Sequence, residues 1–365
     1  DDYETTHDRG YSGAHPGGRK ATSYIDFLQR LLQRLRFPPR FRNRELAYIS
    51  LSMSAMMPRM ETVGRYQILR KIATGGMAEV FLGRTTGEGG FEKLVAIKRI
   101  LQHLAADTSF VEMFMDEARI SASLNHSNIA QIFEFGRAGS SYFIAMEYVH
   151  GLSLRDLYRH FRTVRQIPPP ALSAFLVTHT CAALEYAHTR TDAYGTPLDI
   201  IHRDVSPSNV LVSFQGEVKL IDFGIAKATQ RHHQTVGGDL KGKYAYMSPE
   251  QASGEAVDHR SDIFAAGILL FELLTGRNPF RADNDLATLG RVQAAELPPV
   301  QGTLEGDAIK LHEIAVRALS RQPGDRYASA GDMQEELEAY SRHNLFGSRQ
   351  MAKWMKQHFA DEERR

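Results

Sequence analysis

Cysteine is almost missing: Cys181 stands alone in 365 residues, which excludes an intrachain disulfide and a thiolate-based zinc cluster. A reducing cytoplasm is the expected setting. Long apolar runs are missing too. The longest near the start, Ala47 to Met57, is broken by serines and too short to cross a bilayer; no later stretch does better and no secretory cleavage pattern is present. Nor is there an excess of charge of either sign, since 44 Lys and Arg against 43 Asp and Glu leave +1. That balance gives no general attraction to nucleic acid or to an acidic partner. What remains, 42% hydrophobic and 24% charged residues, is the composition of a soluble globular protein with core enough for one large or two modest domains.

Residues 1–60 differ from the rest in their Gly-, Pro- and Arg-rich patches. Ile25, Leu28, Leu32 and Leu35 share one helical face beside Arg30, Arg34 and Arg36, which makes a short basic amphipathic helix for membrane or partner docking. The plainer expectation is a disordered leader ahead of a natural start near Met56, Met57 or Met60. From Tyr66 the pattern turns to short β-rich runs, Tyr66–Leu69, Val80–Gly83, Leu94–Ile100, Ile129–Gly136 and Tyr142–Tyr148. Their β-branched and aromatic content predicts a five-stranded antiparallel sheet, interrupted by one helix over about Ser109–Leu124. After Gly151 the period is helical, notably over Pro169–Thr189, Asp258–Leu274, Ala308–Leu319 and Ala330–Ser341. A small sheet lobe joined near Tyr148–Gly151 to a larger helical lobe would bracket a cleft of the kind ligands favour. No internal repeat is present.

Three stretches carry chemistry. Ala73-Thr74-Gly75-Gly76-Met77-Ala78-Glu79-Val80 lies between two strands, where small residues let backbone amides approach phosphates; taken alone, it reads by default as a tight hairpin that binds nothing. Lys98 closes the apolar run Val95-Ala96-Ile97, either snorkelling at a sheet edge or offering its ammonium to phosphates. In the second case a carboxylate on the next helix would hold it, with Glu117 better phased than Asp116. Third, His202-Arg203-Asp204-Val205-Ser206-Pro207-Ser208-Asn209 is followed by Asp222-Phe223-Gly224. An acid, an amide and a second acid at this spacing form the set needed to move a phosphoryl group from Mg-ATP to a hydroxyl.

These motifs, in this order, resemble the eukaryotic-like serine/threonine protein kinases found also in bacteria, over about Tyr66 to Tyr340. The resemblance implies an α+β, two-lobe protein kinase fold with a five-stranded sheet lobe at 61–148, a mainly helical lobe at 149–341 and a helical extension at 342–365. It implies ATP and Mg²⁺ as cofactors, protein substrates and a cytoplasmic signalling role. Asp204 would be the catalytic base or hydroxyl-orienting acid, and Asn209 and Asp222 the magnesium ligands, which suits a hard cation that prefers oxygen. Lys98, held by Glu117, would bind phosphates under the loop Ala73, Thr74, Gly75, Gly76, Met77 and Ala78. Met146 would be the gatekeeper, Glu147 and Val149 would give backbone hydrogen bonds to adenine, and Val80, Ala96 and Leu211 would sandwich the base, with Ser153 at the rim. Tyr246-Met247-Ser248-Pro249-Glu250, Asp262 and Arg326 resemble the protein-substrate apparatus that small-molecule kinases lack.

The sequence also departs from that family. Alanines at 73 and 78 replace two glycines of the loop. Ser206 stands where serine/threonine kinases carry a lysine, and Lys243, one past Gly242, stands where they carry a threonine, as if hydroxyl and ammonium had changed places. Lys243 would then reach back over Ser206 to restore positive charge beside Asp204; pointing into solvent is the alternative. The position usually phosphorylated opposite Arg203 is Asp239, which predicts partial activity without phosphorylation, with Thr229 and Thr235 as candidate autophosphorylation sites. His232 and His233 read as a solvated turn rather than a metal site. These departures keep a pseudokinase scaffold as the rival reading and make tyrosine specificity harder to exclude. Beyond Tyr340, Phe346, Met351, Trp354, Met355 and Phe359 form an apolar helical stripe, expected to pack on its own domain, with a docking helix for a partner as the alternative.

Overall fold

The computed structural model describes residues 61–223, 243–300, 304–344 and 346–364. In the first lobe, β1 (Thr62–Val63), β2 (Tyr66–Thr74), β3 (Ala78–Thr86), β4 (Glu92–Ile100), β5 (Ile132–Ala138) and β6 (Ser141–Glu147) form one antiparallel sheet in the order β1-β2-β3-β4-β6-β5. Helix α1 (Thr108–Ala122) connects β4 to β5. The sheet has six strands, not the expected five. The extra one is a two-residue strand that pairs Thr62 with Gln67 and Val63 with Tyr66 across a turn at Gly64, φ +58°. Two residues are too few to show a period-2 alternation, so no sequence signal marks it.

Alternation along β4 decides what each face does. Val95 and Ile97 join Val63, Tyr66, Phe81, Phe143 and Ala145 in one apolar cluster. Ala96 and Ile100 point the other way, into a cluster with Ala78, Ile144, Met146 and the α1 residues Phe114 and Ala118. Lys98 shares the parity of Ala96 and Ile100, and therefore turns toward α1. The helix is capped by Asp107, whose side chain accepts from the Ser109 amide at 2.9 Å.

The second lobe contains β7 (Gly151–Ser153), α2 (Leu154–Val164), α3 (Pro170–His188), β8 (Val210–Ser213), β9 (Val218–Leu220), α4 (Pro249–Ser253) and α5 (Arg260–Thr275). Then follow α6 (Asp285–Ala294), α7 (Asp307–Ala318), α8 (Ala330–Asn344), α9 (Ser348–His358) and α10 (Ala360–Glu363). Strands β7, β8 and β9 make a small antiparallel sheet. Helix α5 is buried at every position from Ser261 to Leu274, as a helix apolar on nearly all sides must be. Main-chain links tie the two lobes together: the Leu220 amide donates to the Asn128 carbonyl at 2.7 Å and the Ala130 amide to the Leu220 carbonyl at 3.1 Å. Among the described residues no helix is long and apolar enough to cross a membrane.

Candidate active site

Because Lys98 faces α1, it meets the helix where Phe114, Ala118 and Ser121 form the buried stripe. Glu117 lies on that stripe, whereas Asp116 is exposed and pairs with Arg119. The Lys98 ammonium contacts Glu117 Oε1 at 2.6 Å and Asp222 Oδ1 at 2.8 Å. Burial works against its charge, but the two carboxylates outweigh that and raise its pKa above the ordinary lysine value. One ammonium thus joins β4, α1 and the segment just after β9.

Asp262, on buried α5, organises the other acid. Its two oxygens accept the backbone amides of His202 at 2.7 Å and Arg203 at 2.8 Å, and His188 Nε2 lies 2.8 Å from Oδ2. Burial pushes the Asp262 carboxyl up, but hydrogen bonding and charge from His188 and His202 bring it below the ordinary aspartate value. These bonds hold Arg203 at φ +63°, and Asp222 is likewise left-handed at φ +59°. Backbone strain of this kind costs about 1–3 kcal/mol per residue and persists where surrounding contacts over-determine it. The fully buried His202 ring makes a further link, with Nε2 at 3.1 Å from the Ile221 carbonyl and Nδ1 accepting from the Asp204 amide at 3.2 Å. Burial lowers its pKa, favouring the neutral ring. Sequence reasoning gave His202 no role, because its partners become neighbours only in the fold.

Asn209 Nδ2 donates to the Asp204 carbonyl at 2.8 Å and to Asp204 Oδ2 at 3.2 Å. Its amide oxygen is thereby turned away from Asp204 and accepts no hydrogen bond among the described residues. That oxygen and the Asp222 carboxylate are both hard donors, the chemistry that magnesium prefers. Lys243 Nζ stands 3.1 Å from Asp204 Oδ2, its side chain 36% exposed. Ser206 is buried, and its hydroxyl has no hydrogen-bond partner among the described residues.

The loop from Ala73 to Val80 is the β2–β3 hairpin: Ala73 pairs with Val80, Thr74 with Glu79, and the Gly75 amide donates to the Ala78 carbonyl at 2.8 Å. Gly76 and Met77 complete the turn, and the Met77 carbonyl accepts from Leu101. Ala78 directs its methyl into the core with Ala96 and Met146, with Val80 packed against them, so alanine at this position does not obstruct the outer face of the loop. Glu147 is fixed on both sides: its amide donates to the Gln131 carbonyl at 2.8 Å and its carboxylate pairs with Lys219 at 2.8 Å. The Val149 amide donates to no described residue. Leu211 lies on β8 opposite Ser153. The Ser153 hydroxyl is committed to capping α2, donating to Asp156 at 2.6 Å and accepting the Asp156 amide at 3.3 Å.

In the second lobe, Arg326 makes two 2.8 Å bonds to the Glu250 carboxylate, and the Ser261 hydroxyl donates to the same group. The family described as "Protein kinase domain" matches residues 66–357. The chain belongs to the protein kinase family. It is 42% identical over 322 residues to the tyrosine-protein kinase MasK of Myxococcus xanthus, covering 86% of this chain and 49% of the relative. It is 35% identical to the serine/threonine-protein kinase PrkC of Bacillus subtilis, covering 75% of this chain and 40% of the relative. The chain thus spans half or less of these two relatives. Among solved structures, the kinase domain of Mycobacterium tuberculosis PknI superposes with a TM-score of 0.59 at 26% identity, covering 78% of this chain and 99% of that one.

The kinase domain match runs past α8 into α9. Met351 and Met355 are fully buried and Phe359 nearly so, all within the large core of the second lobe, with Phe346 and Trp354 packed against it. The apolar stripe is therefore packed on the kinase itself, as expected for its own domain. Thr229, Thr235, Asp239 and the His232-His233 pair lie outside the described residues, as does the leader at 1–60.

Proposed function

We propose that this kinase domain transfers the γ-phosphoryl group of ATP to serine or threonine hydroxyls of proteins, its own included. The observation that carries the proposal is a pair of contact sets, Lys98 with Glu117 and Asp222 at 2.6 and 2.8 Å and Asn209 with Asp204 at 3.2 Å, tied together by the Ile221 amide donating to the Asn209 carbonyl at 2.9 Å. Lys98, steadied by Glu117, binds the α- and β-phosphates, while the loop from Ala73 to Ala78 covers them. Glu147 and Val149 present backbone groups to adenine, with Val80, Ala96 and Leu211 against its faces and Met146 as the gatekeeper. The Asn209 amide oxygen and the Asp222 carboxylate would hold magnesium, which would supply positive charge against the phosphates. Asp204 accepts the proton of the incoming hydroxyl. The presence of Lys98, Glu117, Asp204, Asn209 and Asp222 together favours an active enzyme over a pseudokinase scaffold.

Radiolabel transfer from Mg-ATP to a generic protein tests the proposal, with thermal shift reporting nucleotide binding. Asp204→Ala should bind Mg-ATP and lose about 10²- to 10⁴-fold in rate, the contribution of a positioned base. Transfer equal in wild type and Asp204→Ala would count against it. A second reading, transfer to tyrosine, is favoured by two observations: the similarity to MasK and the displaced lysine and threonine at positions 206 and 243. Phosphoamino-acid analysis of the labelled product distinguishes the two. A cytoplasmic site of action belongs to the same proposal.

A further inference from the structure

Two ammonium groups stand at opposite ends of the site. Lys98 is engaged by Glu117 and Asp222, at the end where nucleotide phosphates and metal would be held. Lys243 is engaged by Asp204, at the end where the acceptor hydroxyl must arrive. The catalytic loop, His202–Asn209, brings no cation to that end at position 206: Ser206 is 3% exposed and its hydroxyl bonds to nothing described.

The backbone that carries Lys243 is firmly anchored. Lys243 precedes the 3₁₀ turn Tyr244–Tyr246. Within that turn the Tyr246 hydroxyl donates to buried Glu272 at 2.5 Å, and the Ala245 carbonyl accepts Asn278 Nδ2 at 3.1 Å. A few residues on, Gln251 Nε2 donates to the Arg203 carbonyl at 3.1 Å, which ties the start of α4 to the residue beside Asp204. A long, partly exposed lysine side chain is thus launched from a fixed base toward one carboxylate oxygen. Preorganised charge of this kind lowers a barrier because nothing need reorganise as charge develops.

We propose that Lys243 supplies the positive charge at the acceptor end of the reaction, holding Asp204 Oδ2 and facing the oxygens of the transferring phosphoryl group. It takes the place of a cation on the catalytic loop. In the step it serves, the acceptor oxygen bonds to the γ-phosphorus as the bond to the β,γ-bridging oxygen breaks. The hydroxyl proton passes to Asp204, and ADP leaves with the electron pair of the broken bond. Because Lys243 arrives on the segment leading into α4 and not on the catalytic loop, charge delivery depends on that segment being docked. The inference rests on the kinase reading above.

The test is steady-state transfer from Mg-ATP to a generic protein, read separately as kcat and KM for ATP. Absence of transfer by the wild type would fail the kinase reading itself; the arms below apply to an active wild type. Lys243→Met should lower kcat by about 10²- to 10³-fold, the usual loss for one such donor, while KM for ATP and the thermal midpoint stay near wild type. Lys243→Arg, which keeps the charge, should retain much more activity than Lys243→Met. The exchange Ser206→Lys/Lys243→Thr should exceed Lys243→Thr alone. Wild-type kcat in Lys243→Met would overturn the proposal, as would equal losses in the Arg and Met variants; these two arms decide the matter even where buried Ser206 does not tolerate lysine.

Discussion

Without the Lys98 ammonium, Glu117 and Asp222 would face one another across a space where Lys98 and Glu117 side chains are only 13% and 15% exposed. Burial and the Asp222 charge already push the Glu117 carboxyl up against the pull of Lys98. Lys98→Met should therefore do two separable things. It should cut phosphoryl transfer by about 10²-fold or more through loss of phosphate binding, and destabilise the fold by about 3 kcal/mol by orphaning a buried charge. Adding Glu117→Gln should restore much of the stability and none of the activity. Chemical denaturation beside a transfer assay checks this, and a double variant no more stable than Lys98→Met would refute the electrostatic account. The individual residues here were legible because their chemistry is demanded by phosphoryl transfer and their spacing is rigid. The bond from Lys98 to Asp222, the clamp between Glu147 and Lys219, and the part played by His202 were not. Each joins positions far apart in sequence, and nothing local to either partner announces the other.

At the scale of elements, period and parity carried most of the information. The helices α1 and α5 and the phase of Glu117 on α1 were readable, while β1 was too short and the capping duty of Ser153 depended on where α2 begins. The C-terminal stripe showed its apolar face without showing what covers it. Part of the answer is the β8–β9 hairpin: Gly216 sits at φ +83°, and a Cβ there would fall 1.9 Å from the Ser348 carbonyl oxygen of α9. On the other side Trp354 stacks on Phe161 of α2 at 5.3 Å. Gly216→Ala should therefore cost about 1–3 kcal/mol of backbone strain and push α9 outward. Trp354 is the only tryptophan, so its fluorescence reports the displacement directly. A red-shifted native emission and a lower thermal midpoint are expected; unchanged emission would mean that α9 does not depend on this close approach.

For the molecule as a whole, the lobes share main-chain bonds between Asn128, Ala130 and Leu220 and the side-chain bond from Asn128 Nδ2 to the Val218 carbonyl at 2.9 Å. Links of this kind favour unfolding in which the lobes are coupled, and make global stability sensitive to a few buried ionic groups. Glu250 is the clearest. Burial pushes its carboxyl up, but hydrogen bonds from Arg326 and Ser261, with the Arg326 charge, bring it from 4.5 down to about 2. Since the folded pKa lies below the unfolded one, the stabilisation is fully present above about pH 4.5 and is lost as pH falls toward 2. Asp262, also depressed, acts with the same sign. Glu250→Gln leaves Arg326, 3% exposed, without its counter-charge and should cost about 3–5 kcal/mol at neutral pH. That deficit should narrow as pH falls below 4.5, because the wild type loses the same interaction by protonation while the glutamine cannot titrate. Thermal midpoints of both proteins between pH 7 and the acid limit decide it: converging curves are expected, and curves that stay parallel would show that the Glu250–Arg326 pair does not govern acid stability.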